Sequence, residues 1–371
     1  MLVAIVAGCG GAGQRPASTA DSVDPLALAE TPLLVETLPG QLAGAWPAPY
    51  VRGAHGWLLP FSDGSEVHAR LVGDDGGRGD RFVDRGTLVG AAALDDGFAV
   101  AVASDGEARL HFLGSDGSAL IVHAPLDGKP VPGLASDGVR VLVAATQGGE
   151  IAVEQPRPLT ATLALVARDG ARAIDLGSVA AAPTPWGDAH GFIVAGALLV
   201  DGSGKTAPAP GRQVRDARVF RKPIAAGTLP TSDTISLGAD SWLSVDGLVG
   251  WAGRADDVAR LEVVTSSGRA LVEVGDDLTP RSQRALPATT RGDGQQSWIA
   301  AVSGSHVVWA ATVENDPVFA ILDASAMRAD GGVVRIRGAT SRTTIVSPGA
   351  SGLLLAWTED GGTVRYAVTA W

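Results

Sequence analysis

Short runs of apolar residues, separated by polar segments that contain glycine, recur along most of the chain. Runs of four to eight residues that are rich in Val, Leu, Ile and Trp and end at Asp-Gly or Ser-Gly are typical of β-strands joined by tight turns. No window keeps an apolar period of 3.6 over a dozen residues, as an amphipathic helix would require. The pattern therefore predicts an all-β chain.

One unit recurs: a Gly, an apolar strand, a polar loop, a second strand, a Gly-containing turn and a third strand. Gly97 shows it clearly, since it precedes apolar residues 98–103 and 108–113, and the turn 115–117 leads into 119–122. We count seven copies, with leading glycines Gly56, Gly97, Gly138, Gly191, Gly247, Gly304 and Gly352. Their spacings of 41, 41, 53, 56, 57 and 48 residues are typical of propeller blades. The pattern predicts seven blades; because the fourth copy is weak, six blades with a long insertion stay an alternative.

Tryptophans recur with the same phase. Trp186, Trp242 and Trp298 are 56 residues apart, each five or six residues before a leading Gly. A second set, Trp251 with its counterparts 309 and 357, is expected at the end of a strand where other copies have Phe or Val. Exchange with other apolar residues indicates packing between blades, rather than an aromatic platform for a sugar ring.

The last copy supplies three strands, over 343–346, 353–357 and 363–368, and the apolar segment 32–38 belongs to no copy. We expect this N-terminal strand to be the fourth strand of the last blade, closing the ring and covering an exposed edge. The body, 31–371, is then one domain of four-stranded antiparallel blades. It is similar to the β-propeller repeats of secreted bacterial proteins, although no Trp-Asp dipeptide of the WD40 kind ends a copy.

The N-terminal residues carry the single cysteine, Cys9. The run 6–9, Val-Ala-Gly-Cys after a short apolar stretch, resembles the lipobox of bacterial lipoproteins, although no Lys or Arg precedes it. The resemblance implies a signal peptide over 1–8, a lipid on Cys9, a flexible tether over 9–30 and export to a bacterial membrane. Gly10, rather than Asp, suggests the outer membrane or a periplasm-facing position. Residues 8–13 also match G-x-G-x-x-G, but Pro16 follows where a dinucleotide site needs a helix.

Charge and the remaining polar residues narrow the function. The net charge is −11 with both signs interspersed, so we expect no nucleic-acid partner. The histidines are scattered and the acidic pairs fit turns, so we assign no metal, cofactor or catalytic residue. The histidines are His55, His68, His111, His123, His190 and His306. The acidic pairs are Asp74-Asp75, Asp95-Asp96, Asp256-Asp257 and Asp276-Asp277. Two Arg-Gly-Asp triplets start at Arg78 and Arg291, and the composition explains them as chance matches. One basic run spans 212–222, in an irregular region after the fourth copy, where we expect a solvated insertion rather than a patch for an anionic ligand.

Together these observations favour a lipid-anchored binding module at the cell envelope rather than an enzyme. The expected partner is a protein, peptide or glycan, and the expected state is a monomer. Two alternatives stay open: a hydrolase or lyase acting on a glycan or peptide at the axial funnel, and a structural subunit of an envelope assembly.

Overall fold

The structure is a computed structural model. It describes residues 25–39, 41–42, 51–54, 56–73, 78–148, 159–179, 184–188, 191–197, 217–222, 234–236, 241–242, 250–255, 258–265, 268–274, 280–287, 298–303, 305–339, 345–348, 352–359 and 362–370. Cys9, the signal-peptide segment 1–8 and residues 9–24 of the predicted tether lie outside this part of the chain.

The described residues are almost entirely strands. A single 3-10 turn, Pro25–Ala27, precedes strand β1 (Val35–Leu38). The following strands form antiparallel sheets, numbered here in chain order. Sheet 1 contains β2 (Gln41–Leu42), β3 (Val51–Gly53), β4 (Gly56–Asp63), β5 (Glu66–Gly73) and β6 (Arg78–Arg85). Sheet 2 contains β7 (Thr87–Leu94), β8 (Gly97–Ser104), β9 (Glu107–Gly114) and β10 (Ala119–Ala124).

Later sheets repeat this arrangement. Sheet 3 contains β11 (Lys129–Pro130), β12 (Ala135–Ser136), β13 (Val141–Gln147), β14 (Leu159–Ala167) and β15 (Gly170–Val179). Sheet 4 contains β16 (Thr184–Asp188), β17 (Gly191–Ala197), β18 (Ala217–Lys222) and β19 (Thr234–Ser236). Sheet 5 contains β20 (Ser241–Trp242), β21 (Gly250–Ala255), β22 (Val258–Thr265), β23 (Gly268–Val274) and β24 (Pro280–Ala285). Sheet 6 contains β25 (Trp298–Ser303), β26 (His306–Val313), β27 (Asp316–Asp323) and β28 (Arg328–Arg335), and sheet 7 contains β29 (Ile345–Pro348), β30 (Gly352–Thr358), β31 (Val364–Ala370) and β1.

The sheets with five strands have the same four positions as the others. In sheet 1, β4 pairs along its whole length with β5, and its other edge is shared by β2 and β3. Sheets 3 and 5 divide their first position in the same way. A split first strand therefore leaves the four-position plan of these sheets unchanged.

Sheet 7 joins the two ends of the described chain. Val35 is opposite Ala367 and Leu38 is opposite Val364, so β1 is the outer strand beside β31. The hydroxyl of Tyr366 also donates to a Glu36 carboxylate oxygen at 2.7 Å. This pairing agrees with the expectation for segment 32–38.

The first strands of successive sheets contact one another. β3 contacts β7, β7 contacts β12, β12 contacts β16, and β16 contacts β21. The series continues from β21 to β25, β25 to β29, and β29 back to β3. Glycine permits one of these approaches, since a Cβ on Gly187 of β16 would lie 2.5 Å from the carbonyl oxygen of Ser136 of β12.

The apolar core lies between neighbouring sheets. Trp309 of sheet 6 is fully buried among residues of sheets 5 and 6, and its indole N–H donates to the Pro287 carbonyl at 3.3 Å. Trp357 of sheet 7 is buried against Val308 and Phe319 of sheet 6. Both tryptophans therefore pack between sheets, as their exchange with aliphatic residues indicated.

Some strand assignments differ from the sequence expectation. Trp251 lies in β21, a first-position strand, and so does not correspond to Trp309 and Trp357, which lie in second-position strands. Asp330-Gly331, which in the recurring unit would be the Gly-containing turn of the sixth copy, lies within β28; the turn is 324–327, where a carboxylate oxygen of Asp323 accepts two backbone N–H groups. The last first-position strand is described over Ile345–Pro348, and residues 343–344 of the predicted strand lie outside the described residues.

The predicted domain boundary at residue 31 falls within a packed segment. The backbone N–H of Thr31 donates to the Val333 carbonyl at 2.7 Å, and that of Val333 donates to Ala29 at 3.0 Å. Leu26 and Leu28 pack against the core between sheets 5 and 6. Contacts with the strand body therefore include residues N-terminal to the boundary. In the described part of the chain, no helix has the length and hydropathy required to span a membrane.

Candidate binding groove

A groove of about 730 Å³ lies between sheets 1 and 2. We call it the groove; its lining residues are Ala54, Leu58, Ala69, Leu71, Gly73, Gly79, Asp80, Arg81, Gly97, Phe98, Leu113, Gly114, Ser115 and Gly117. Its volume falls within the range of about 300–1,000 Å³ that is usual for ligand sites. The groove is thus large enough for a small molecule or a short peptide.

Strand alternation produces its apolar floor. Successive side chains of a strand point to opposite faces, so Ala69 and Leu71 of β5 share one face. On the facing sheet, Phe98 of β8 pairs with Leu113 of β9. Leu71 is 43% exposed while Phe98 is 9% exposed. The groove is therefore closed at its floor and open to solvent along Leu71.

Glycines keep the entrance open. Gly79 of β6 lies opposite Leu71, and a Cβ added there would meet no atom within 4 Å. A larger residue at this position would project into free space without strain in the backbone. Gly79 is therefore a position at which the groove can be filled by substitution.

Polar side chains from both sheets also meet between β6 and β9, outside the lining of the groove. His111 of β9 is 3% exposed, and its Nε2 lies 2.7 Å from a carboxylate oxygen of Asp84 of β6. Nε of Arg109 lies 3.1 Å from the same oxygen. Burial lowers the pKa of His111, and Arg109 and Arg81 act in the same direction, against the effect of Asp84. His111 is therefore neutral at pH 7 and donates its Nε2 proton to Asp84.

The carboxylate next to Arg81 in sequence is already neutralised. Asp80 accepts two hydrogen bonds from Arg70, at 2.6 and 2.8 Å, and this interaction lowers the pKa of Asp80. Arg70 also donates to the carbonyl of Thr37 in β1. Among the described residues, no carboxylate forms an ion pair with Arg81, which gives the groove a net positive end.

A second, half-buried carboxylate lies far from the groove in sequence. Glu273 of β23 accepts hydrogen bonds from Arg260 at 3.2 Å, Ser282 at 2.6 Å and Arg284 at 3.0 Å. Burial acts to raise the pKa of Glu273, but these hydrogen bonds outweigh it and lower the pKa. Arg284 also donates to the carbonyl of Ala324 in the turn of sheet 6. This arrangement joins sheets 5 and 6, so its evident role is structural.

The candidates from the sequence do not converge. His68, His111, His123 and His306 lie in four different strands, and in the described part of the chain no three His, Cys, Asp or Glu side chains are grouped as metal ligands. The Arg-Gly-Asp triplet at 78–80 is part of β6, and Asp95-Asp96 form a turn. Residues 218–222 of the basic run lie in β18 rather than in an irregular insertion. Outside the described residues lie Cys9, His55, His190, the other acidic pairs and the second triplet.

Sequence reasoning missed the groove and the polar side chains that meet between β6 and β9. Asp84 and His111 are 27 residues apart in the chain, and no motif links them. The sequence contained one signal: Arg109 and His111 are two residues apart, so both point to the same face of a strand that is otherwise largely apolar. A polar residue at such a position needs a buried partner.

Solved structures resemble this fold. The WD40 domain of coronin from Toxoplasma gondii matches with a TM-score of 0.52 at 9% sequence identity, over 95% of this chain and 89% of that one. An acylaminoacyl peptidase from Pyrococcus horikoshii matches with a TM-score of 0.51 at 11% identity, over 87% of this chain and 52% of the peptidase, so this chain spans about half of its length. No protein-family model and no curated protein sequence matches the chain. At these identities the likeness is one of fold alone, and that fold is a β-propeller.

Proposed function

We propose that this β-propeller is a binding module that holds its ligand in the groove between sheets 1 and 2. The observation that carries the proposal is the groove itself, with an apolar floor, an open side and a positive end. In the described part of the first-position strands, the ionisable residues whose side chains are described are Arg52, which lies 5.5 Å over the Trp57 ring, and Lys129. The groove is therefore a better-supported site than the axial funnel.

Seven blades in a closed ring are part of the same proposal. The contacts that run from β3 through every first-position strand back to β3 support a ring, and each of the sheets described above would be one blade. The pairing of β1 with β31 supports closure by the N-terminal strand, because it joins the first and last segments in one sheet. A closed ring leaves no unpaired sheet at either end of the series.

The groove can be tested with a neutral apolar dye, N-phenyl-1-naphthylamine, titrated into the purified full chain. We expect saturable fluorescence enhancement, reduced at least tenfold in affinity by Leu71→Glu and by Gly79→Leu. The first variant puts a charge in the apolar wall that the dye must contact, and the second fills the space. Leu120→Glu is the matched control, since Leu120 is 40% exposed in a strand but does not line the groove. Equal binding by all four proteins, or no binding by the wild type, would contradict the proposal.

We further propose that the protein is exported and held at a bacterial membrane by a lipid on Cys9. The support is the resemblance of residues 6–9 to a lipobox. Mass spectrometry of the chain isolated from bacterial membranes should find Cys9 as the first residue, carrying a diacylglycerol. Cys9→Ser should retain residues 1–8 and lose the lipid. A wild-type chain that keeps residues 1–8 with an unmodified thiol would rule the anchor out.

A further inference from the structure

The positive end of the groove defines the charge of its ligand. Arg81 lines the groove and carries a positive charge, whereas Arg109, Asp84 and His111 do not line it. Asp80 cannot compensate Arg81, because both of its carboxylate oxygens accept hydrogen bonds from Arg70. Among the described residues, the groove therefore has a net positive charge beside apolar walls. The complementary ligand combines an apolar group with a carboxylate.

The backbone of β6 borders the groove. Gly79, Asp80 and Arg81 are consecutive and all three line it, although successive side chains of a strand point to opposite faces. The main chain itself must therefore form part of the wall. β6 is also the outer strand of sheet 1, and among the described strands only β5 pairs with it. Apart from Arg85, whose N–H donates to Asp84 and whose carbonyl accepts from Arg109, the N–H and C=O groups on this outer edge can pair with an added extended chain.

The distance between the apolar wall of the groove and Arg81 fits the end of a polypeptide. Gly79, opposite Leu71, is two residues from Arg81, which corresponds to about 7 Å along a strand. The carboxylate of a chain terminus lies within about that distance of the end of its last side chain. A fatty acid would satisfy the charge but would leave the free edge of β6 unpaired.

We infer that the ligand of the groove is the C-terminal end of a peptide or protein chain; this inference rests on the proposal that the groove is the binding site. The last, apolar side chain lies on Leu71, Phe98 and Leu113, and the terminal carboxylate binds Arg81. The segment preceding the terminus runs along β6.

The test uses a tetrapeptide ending in leucine and acetylated at its N-terminus, made once with a free carboxylate and once as the C-terminal amide. Isothermal titration of the full chain should give at least tenfold tighter binding for the free acid. Arg81→Gln should remove this preference, because it weakens binding of the acid at least tenfold more than binding of the amide. Arg85→Gln is the matched control, since Arg85 is on the same strand and does not line the groove. Gly79→Leu should abolish binding of both peptides.

Three other outcomes distinguish failure of this inference from failure of the proposed binding function. If the neutral dye binds but the acid shows no preference over the amide, the inference fails and the groove stands as an apolar site. If decanoic acid binds at least tenfold more tightly than the peptide acid, the occupant is a fatty acid and the peptide inference is overturned. If neither dye nor peptide binds, the proposed function fails together with the inference.

Discussion

Leu38, the last residue of β1, provides a sharp test of how the N-terminal strand contributes to stability. It is 2% exposed and packs in one cluster with Trp57 and Leu59 of sheet 1 and Tyr366 of sheet 7. Leu→Ala changes at such sites cost about 2–5 kcal/mol, from lost transfer free energy and from the cavity that remains. Because Leu38 ends a strand of four residues, partial relaxation is expected, and we predict a loss of about 3 kcal/mol in the free energy of unfolding.

The assay is urea unfolding, followed by tryptophan fluorescence at pH 7.5. Leu34→Ala is the matched control, because Leu34 is 80% exposed four residues earlier, and its change should stay within about 0.5 kcal/mol. Temperature is a poorer probe, since about 1 kcal/mol shifts the melting point of a chain this long by only about 1 °C. If the two variants unfold at the same urea concentration, the packing of β1 between sheets 7 and 1 does not stabilise the protein and the reasoning is refuted.

Three further changes have defined outcomes. Gly187→Ala should destabilise the protein by about 1–3 kcal/mol in urea, because its Cβ would lie 2.5 Å from the Ser136 carbonyl oxygen, whereas Gly79→Ala should be neutral. Because the pKa of His111 is lowered in the folded protein, its imidazole takes up a proton at a higher pH in the unfolded chain than in the folded one. The unfolded state is therefore favoured as the pH falls through about 6.5. Wild-type stability should therefore fall more between pH 7.5 and 5.5 than that of His111→Gln; parallel falls would contradict this. Glu273→Ala removes the carboxylate that accepts hydrogen bonds from Arg260, Ser282 and Arg284 and should cost about 3 kcal/mol, which urea unfolding would disprove if the midpoint stayed constant.

Strands with an apolar face could be predicted from the sequence, and charged outer strands could not. Residues 98–103 and 108–113 were predicted as strands and lie within β8 and β9. β6, with the sequence Arg-Gly-Asp-Arg-Phe-Val-Asp-Arg, has no apolar alternation and was missed. An outer strand has one edge in water, where charged side chains are common. The signal that identifies an inner strand is thus absent from an outer one.

The phase of a repeat is also harder to predict than its presence. Trp251 follows a Gly as Trp309 does, yet it is in a first-position strand of sheet 5. The spacing of Trp186, Trp242 and Trp298 was the better guide, since all three lie in first-position strands of successive sheets. The groove could not be predicted at all, because residues of two sheets form it and their proximity depends on how the sheets pack.

Sheet 7 imposes an order on how the molecule is made. Leu38 leaves the ribosome 326 residues before its partner Val364. At about 5–20 residues per second, β1 waits roughly 16–65 s for β31 to be synthesised. During that time the other sheets can form, while the nascent chain keeps an unpaired strand at its N-terminal side. Completion of the last sheet is therefore a late, long-range event, and a chaperone that shields β1 during translation would protect the protein from pairing with the wrong edge.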